Sequence, residues 1–359
     1  MPVKVINQIK ETSWNKWDDL GIPFLSYEFF LALEESQSIG GESGWQPLYF
    51  EAHNKSLLYS FIKSHSYGEY IFDWDWAHFY KTHNIPYYPK LTSMIPFTSA
   101  TSPHFLGEAS ANVMETYEEY YFENPFSSSH FLFLPESEIS FFESFGYITR
   151  ESFQYHFYND GYQTFDDFLS KLKAKKSKQI KKERTFPENM SFHQYTGDDL
   201  TLEHASEMYQ FYLSTIIKKR AIPYLKESFF KKIFEKLKHC ICYIQGKKEG
   251  LAIAGALYFY SSDRLYGRYW GTVEDIPNLH FELCYYQGIE FCMSKKISVF
   301  EAGAQGEHKI ARGFRPVKTY SAHKLKNPNI HEAIKKYIRN ETLGIDSLFP
   351  QLNSRLPFK

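Results

Sequence analysis

Between Glu301 and His323 the chain reads EAGAQGEHKIARGFRPVKTYSAH. An apolar run, Ile297 to Phe300, stops there, and glycines then alternate with charged groups, histidines and an amide. Gly303 and Gly306 permit a sharp turn after a strand, and Gly313 can close a short helix from Glu307 to Arg312. On an α-helix His308 and Arg312 stand one turn apart and share a face. A histidine that takes up a proton beside an arginine that holds an anion makes an acceptor site. The alternative is a glycine-bounded surface turn whose charges are solvated. Glu301 points inward with Ile297 and Val299, so it needs a partner or a role. Gln305 and Lys309 complete the polar set.

Three other constellations could carry chemistry. His280-Phe-Glu282 has the composition of a metal pair, but helix positions i and i+2 face apart and no third ligand follows at a metal spacing, so no metal is expected. Glu282 and Tyr285 can instead face a cleft, with core packing of Tyr285 as the alternative. Lys63-Ser-His65 and Asp73-Trp-Asp75-Trp76 form a polar and aromatic cluster in the first half. Tryptophans beside acids can cradle a sugar or peptide, or sit as buried rings with hydrogen-bonded caps. The run KLKAKKSKQIKKER, Lys171 to Arg184, is a solvated helix face by default, and a phosphate-rich partner such as tRNA would want the same strip.

These residues need elements to position them. A helix is expected over Tyr27 to Ser36, strands over Gln46 to Phe50, Leu57 to Lys63 and Phe131 to Leu134, and a helix over Glu138 to Phe145. Thr164 to Asp167 has capping-box spacing ahead of apolar Phe165, Phe168, Leu169 and Leu172. Cys240 to Gln245, Leu251 to Tyr260 and Arg264 to Gly271 read as strands, Leu279 to Met293 as a helix and Ile297 to Ala302 as a strand. An amphipathic helix follows, capped by Asn329, with Ile330, Ile334, Tyr337 and Ile338 on one face. Strand, strand, strand, helix, strand resembles the core order of GNAT acyltransferases. Leu58-Tyr59, Tyr67-Gly68 and Tyr70 recur at one constant offset as Leu257-Tyr258, Tyr266-Gly267 and Tyr269, which suggests a duplicated domain.

Composition narrows the classes. At 359 residues the chain exceeds a usual single core, and two domains are expected, residues 1–150 and 151–359, with the site in the second. With 41 Lys plus Arg against 42 Asp plus Glu, no global field recruits nucleic acid or membrane. Aromatics reach 19%, enough for large apolar cores. The four cysteines sit in apolar runs without zinc spacing, which reads as reduced thiols in a cytoplasmic protein. No run approaches the ~20 apolar residues of a membrane span.

FLSYEFFLALEES, KSHSYGEYIFDWDWA, YGRYWG, HFELCYYQGIE and EAGAQGEHKIARGF resemble the bacterial peptidoglycan biosynthesis or recognition family, Fem-like proteins of the GNAT superfamily. The likeness runs from about Phe24 to His323. It implies an α/β (α+β) fold of tandem duplicated GNAT-like domains, each a mixed, mostly antiparallel sheet flanked by helices. It also implies acyl or aminoacyl transfer to an amine, possibly on a cell-wall precursor peptide, with aminoacyl-tRNA or acyl-coenzyme A as donor. Such a transfer needs proximity, an oxyanion donor and a route for the ammonium proton. Under the resemblance His308 or Glu307 accepts that proton, with Glu301 as a further catalytic candidate, and a backbone amide around Arg268 to Gly271 meets the oxyanion. Arg312 or Lys309 orients an anionic substrate, and Gln305, Arg268, Tyr269, Glu282, Tyr285, Lys63, His65 and Asp73 are further substrate-binding candidates. Arg268-Tyr-Trp-Gly271-Thr-Val273 keeps two fixed positions of the GNAT pyrophosphate motif and loses the last, and Glu274 and Asp275 follow. The alternatives are a non-catalytic peptide or glycan recognition module on the same scaffold and a coenzyme A-dependent N-acetyltransferase.

Overall fold

The computed structural model describes residues 2–17, 20–53, 55–71, 73–304 and 306–359. In chain order it contains β1 (Val3–Ile6), α1 (Tyr27–Glu35), β2 (Trp45–Ala52), β3 (Ser56–Lys63), α2 (Trp74–Thr82), β4 (Lys90–Ser93), β5 (Phe105–Gly107), α3 (Ala111–Glu123), β6 (Ser128–Leu134), α4 (Ile139–Ser144) and β7 (Ile148–Tyr158). Then come α5 (Phe165–Lys171), α6 (Ala174–Glu183), β8 (Met190–Thr196), α7 (Leu202–Lys218), α8 (Glu227–Lys236), β9 (Ile241–Lys248), β10 (Leu251–Tyr260) and β11 (Arg264–Thr272). A helix follows in three parts: α9 (Leu279–Phe281), a π-helical turn (Glu282–Tyr286) and α10 (Gln287–Lys295). Last are β12 (Val299–Glu301), a 3₁₀ turn (Glu307–Arg312), β13 (Arg315–Leu325) and α11 (Pro328–Ser354). Among the described residues no helix is long and apolar enough to cross a membrane.

Two compact units divide the chain. The first holds Met1–Leu20, Phe24–Phe153 and Lys318–Leu348; the second holds Gly21–Pro23, Gln154–Val317 and Phe349–Lys359. In the first, the sheet order is β1-β2-β3-β4-β6-β13, antiparallel except for the β4/β6 pair. In the second it is β8-β9-β10-β11-β12-β7, antiparallel except for the β11/β12 pair. The two orders match strand for strand, and in each the one parallel pair is joined through a helical crossover, α3 in the first and α9 to α10 in the second. This is the duplicated, mixed and mostly antiparallel fold expected from the sequence.

Leu58-Tyr59 on β3 and Leu257-Tyr258 on β10 occupy equivalent strands. The residue repeat ends there, because Tyr67-Gly68 and Tyr70 lie in the loop before α2, whereas Tyr266-Gly267 and Tyr269 lie on β11. The closing strands are exchanged between the repeats. β7 leaves the first unit and closes the second sheet through Tyr158 and His156, and β13 leaves the second unit and closes the first from Tyr320 to Leu325. A single cut at residue 150 does not express this return.

Local sequence explains the element ends. Ser26 caps α1 by accepting from the Phe29 amide, and Thr164 with Asp167 forms a full capping box on α5. α11 is capped by Asn327, whose Oδ1 accepts from the amides of Asn329 and Ile330, so Asn329 is not the cap. Its Ile330, Ile334 and Ile338 pack with Trp76, Tyr80 and Leu325, while Tyr337 stays exposed. In the first unit Leu48, Phe50, Leu58, Leu91, Phe131 and Tyr117 belong to one core cluster.

Gly271 explains how α7 approaches its sheet. A Cβ there would lie 1.7 Å from the Phe211 carbonyl oxygen, and the Thr215 hydroxyl donates to the Trp270 carbonyl at 2.7 Å. Helix backbone therefore rests directly on strand backbone. Gly271→Ala is expected to lower the unfolding free energy by at least about 3 kcal/mol, read by urea denaturation.

A second prediction concerns His130 and His323, cross-strand partners on β6 and β13. Their Nδ1 atoms are 2.8 Å apart, and each Nε2 meets a serine hydroxyl, Ser128 and Ser321, also at 2.8 Å. Burial first, then neighbouring charges including Lys90 and Arg150, hold both imidazoles well below the usual histidine range. The native state thus binds fewer protons than the unfolded chain below about pH 6.5, and stability falls as pH falls, by up to about 1.4 kcal/mol per pH unit for each ring. Unfolding measured from pH 7.5 to 5 should show a shallower slope in a His130→Gln, His323→Gln double variant.

Candidate functional site

β11 and β12 stay together for only three residue pairs, Arg264 with Val299, Leu265 with Phe300 and Tyr266 with Glu301. β11 then continues to Thr272, while the chain after β12 leaves through Ala302 and Gly303, which has φ +83°. A cavity of about 120 Å³ opens where they part, its walls including Arg268, Tyr269, Trp270, His280, Tyr285 and Gly303. The π-helical turn Glu282–Tyr286 breaks the 3.6-residue rhythm, and His280, Cys284 and Tyr285 together reach this cavity.

The segment after β12 is wound as 3₁₀ rather than α. At three residues per turn, positions four apart are offset around the axis, yet both side chains stand against the Phe281 ring, Arg312 at 3.4 Å and the His308 ring at 5.7 Å from its centre. Arg312 is 4% exposed. Its Nη2 donates to Glu183 at 2.8 Å, its Nε to the Tyr286 hydroxyl at 3.0 Å and its Nη1 to the His308 carbonyl at 2.8 Å, with the guanidinium 3.4 Å from the Phe281 ring centre. The sequence expectation of an anion-holding Arg312 is corrected: the side chain is spent on internal partners. Gly306 (φ +113°) and Gly313 (φ +88°) bound the turn, and a Cβ on Gly306 would strike the His308 ring.

His308 and Lys309 each bond a residue of the cavity wall. The His308 Nε2 lies 2.8 Å from the Tyr285 hydroxyl, and burial, then the Arg312 and Lys309 charges, lower its pKa. Burial raises the Tyr285 pKa, so the phenol keeps its proton, and it can donate to Nε2 when the imidazole carries its own proton on Nδ1. The Lys309 side chain is enclosed, its Nζ donates to the Gly303 carbonyl at 2.8 Å, and burial pushes its pKa down to about 7. His280, 4.7 Å from Trp270 between ring centres, is pushed down to about 4, chiefly by burial.

The remaining candidates divide. Arg268 and Tyr269 line the cavity with Tyr285. Glu301 is buried and accepts from Arg264 at 2.7 Å, and Glu307 is exposed and paired with Arg355 at 2.9 Å, so both acids are committed to arginines rather than to the cavity. Glu282 accepts from Arg184 at 2.8 and 3.0 Å and from Gln287 at 2.8 Å, which removes it from a cleft role. Arg268 to Gly271 lie on a strand with Gly271 against α7, not in a loop that could wrap a pyrophosphate. Gln305 lies outside the described residues.

Lys63, His65 and Asp73 belong to the first unit. Lys63 and Asp73 are buried in an ion cluster: Lys90 donates to Glu69 at 2.8 Å and to Asp73, and the Lys63 Nζ sits 3.3 Å from the Trp45 ring centre. Tyr87 and Ser66 also donate to Asp73. His65 contacts the Ser43 carbonyl at 3.0 Å through Nε2. Buried charges answered by one another form a structural core, and the binding role read for Lys63 and Asp73 is corrected accordingly.

Trp270, His280 and Cys284 are wall residues that the sequence did not single out for this place. The available signal was the spacing of His280, Cys284 and Tyr285 on one helix. Glu183 and Arg184, read as the end of a cationic run, anchor α6: Glu183 accepts from Arg312 of the 3₁₀ turn, and Arg184 donates to Glu282 and Glu290 of the helix beside the cavity. Lys173, Lys175, Lys178, Lys181 and Lys182 of that run are exposed.

The profile of the FemAB-like family, described as peptidoglycan biosynthesis/recognition, matches residues 5–359. No curated protein gives a significant match. Among solved structures the chain is similar to FemX, at 9% identity over 82% of this chain and 91% of that one, with a TM-score of 0.52. It is similar to the C-terminal DUF2156 domain of a putative lysylphosphatidylglycerol synthetase from Agrobacterium fabrum, at 8% identity over 90% and 92%, TM-score 0.55. A third likeness is to L-PGS from Bacillus licheniformis, at 11% identity over 87% and 96%, TM-score 0.51. At such identities the likeness is one of fold.

Arg312→Ala would leave the Glu183 carboxylate buried without its cation. A loss of about 3–5 kcal/mol in unfolding free energy is expected by chemical denaturation. Glu307→Gln, at the solvated Arg355 pair, should stay within about 0.5 kcal/mol of the parent.

Proposed function

The chain belongs to the FemAB-like family of peptidoglycan biosynthesis and recognition proteins, built on a tandem GNAT fold, and we propose that it joins an acyl or aminoacyl group to an amine in the opening between β11 and β12. Acyl transfer to an amine acceptor is the chemistry of this family and fold. The observation that carries the assignment is the parting of β11 and β12 after three pairs, which leaves a cavity walled by Arg268, Tyr269 and Tyr285 with the Lys309 amine held behind Gly303.

In the proposed reaction the donor carbonyl enters the opening and the acceptor nitrogen attacks its carbon. The C–N bond forms, the ester C–O bond breaks, and the departing alcohol takes up the proton that the Tyr285–His308 pair has received from the amine. A main-chain amide between Arg268 and Gly271 meets the developing oxyanion, and Lys309, when charged, adds a positive field in a water-poor setting. The proton from the amine passes to the Tyr285 oxygen as the phenol proton passes to the His308 Nε2, 2.8 Å away. Glu301, Glu307 and Arg312 hold the segment in place and do not touch the reacting atoms.

The donor we favour is aminoacyl-tRNA. Exposed lysines along α6 suit sequence-blind phosphate contacts, whereas the strand geometry of Arg268 to Gly271 lacks the loop that a coenzyme A pyrophosphate would need. The acceptor is the amine of a cell-wall precursor peptide, as the family description suggests. We place the reaction in the cytoplasm, in keeping with the reduced thiols read from the sequence.

Single-turnover amide formation from aminoacyl-tRNA and from acetyl-coenzyme A separates the donors and tests the site. Lys309→Met and His308→Ala should each lower kcat/KM by about 100-fold with either competent donor. Lys309 loses its charge as pH rises through about 7, so the wild-type rate should fall above that pH, while Lys309→Arg should hold its rate further into the alkaline range. Full activity in both Lys309→Met and His308→Ala would sink the assignment.

A further inference from the structure

One end of the second unit's sheet carries an unusual concentration of bare aliphatic side chains. Ile217 is 73% exposed, Ile222 68%, Leu251 73% and Val273 64%. Ile217 sits in the last turn of α7, and Ile222 follows a tight reversal in which Arg220 takes φ +51° and the Ala221 amide returns to the Ile216 carbonyl. Leu251 opens β10 after the turn from β9, and Val273 follows β11, its amide donating to the Ile253 carbonyl at 2.9 Å. The Lys218–Asp275 ion pair ties the end of α7 to the segment just after Val273. These aliphatics therefore share one end of the unit rather than being scattered over it.

Cations surround them. Lys218, Lys219 and Arg220 separate the two isoleucines, and Lys247 and Lys248 precede Leu251. Asp275 answers Lys218, and Glu274 answers Lys248 at 2.6 Å. That leaves Lys219 and Arg220 as an excess of positive charge beside the two isoleucines, while Lys247 stands with Glu188 and Glu249 around the β9–β10 turn. Nucleic acid would use the cations but gives the isoleucines nothing to contact. A surface with anionic heads above hydrocarbon satisfies both features, since aliphatic side chains can enter the acyl boundary while cations stay at head-group level.

We propose that this end of the second unit, centred on Ile217, Lys219, Arg220 and Ile222, docks on an anionic lipid bilayer. The same tip lies near the cavity: the Thr215 hydroxyl reaches the carbonyl of wall residue Trp270, and the Lys219 charge acts on wall residue His280. Docking therefore brings the opening to the membrane surface, where an acceptor carried by lipid would meet it. None of the four docking residues lines the cavity.

Co-sedimentation of the full chain with phosphatidylglycerol vesicles, phosphatidylcholine vesicles and total tRNA tests the proposal. The expected result is binding to phosphatidylglycerol vesicles, weakened by salt, with phosphatidylcholine binding far weaker. Ile217→Glu with Ile222→Glu should reduce vesicle binding at least tenfold, and Lys219→Glu with Arg220→Glu should reduce it by about fivefold or more per charge, with unchanged thermal unfolding in both. Failure of the parent chain to bind phosphatidylglycerol vesicles overturns the proposal. Vesicle binding that both double variants retain overturns it as well. So does tRNA binding that depends on Lys219 and Arg220 in the absence of vesicle binding, which would make the tip a nucleic-acid contact.

Discussion

Arg312 carries a permanent charge into the interior of the second unit, and the geometry beside the cavity depends on how that charge is satisfied. A buried guanidinium is stable only when its donors find acceptors and a counter-charge is close. Glu183 supplies the charge, the Tyr286 hydroxyl and the His308 carbonyl take further donors, and Phe281 covers the planar face. These partners come from α6, the π-helical turn, the 3₁₀ segment itself and α9. With Arg312 so held, the 3₁₀ turn cannot rewind, and the neighbouring Lys309 and His308 are aimed at Gly303 and Tyr285.

The cavity follows from a second ionic contact. Glu301 is the last residue of β12 to pair with β11, and its partner Arg264 stands at the start of β11, so the ion pair spans the short parallel ladder. Beyond it the strands separate. Arg268 lines the opening and Lys309 stands behind its wall, while the nearby imidazoles of His280 and His308 are held down first by burial and then by charges including Lys309 and Arg312. A field that keeps histidines neutral is also one that favours a developing oxyanion. In the reaction we propose, the proton acceptor and the electrostatic stabiliser would share that one arrangement of charge.

Much of this order was legible in the sequence because local signals and the global fold agree. The strand Leu251–Tyr260, the Thr164–Asp167 capping box and the glycine close at Gly313 all appear where spacing placed them. What spacing could not convey was burial of charge. Arg312 and Glu307 look alike in a string of letters as solvated loop residues, yet one is enclosed and the other faces water. Nor does the sequence distinguish a 3₁₀ turn from an α turn over six residues. Asp73 and Lys63 misled for the complementary reason: a cluster dense enough to suggest a binding site was dense because its members bind one another.

The exchange of closing strands has a consequence for the chain as a product of synthesis. The first repeat is not finished when its own stretch of sequence ends; it lacks a closing strand until Lys318–Leu325 has been made, after most of the second repeat. The second repeat in turn is closed by residues synthesised before its own first strand. Duplication copied the fold, but the copies no longer coincide with contiguous pieces of polypeptide. Neither half of the coding sequence encodes half of the protein.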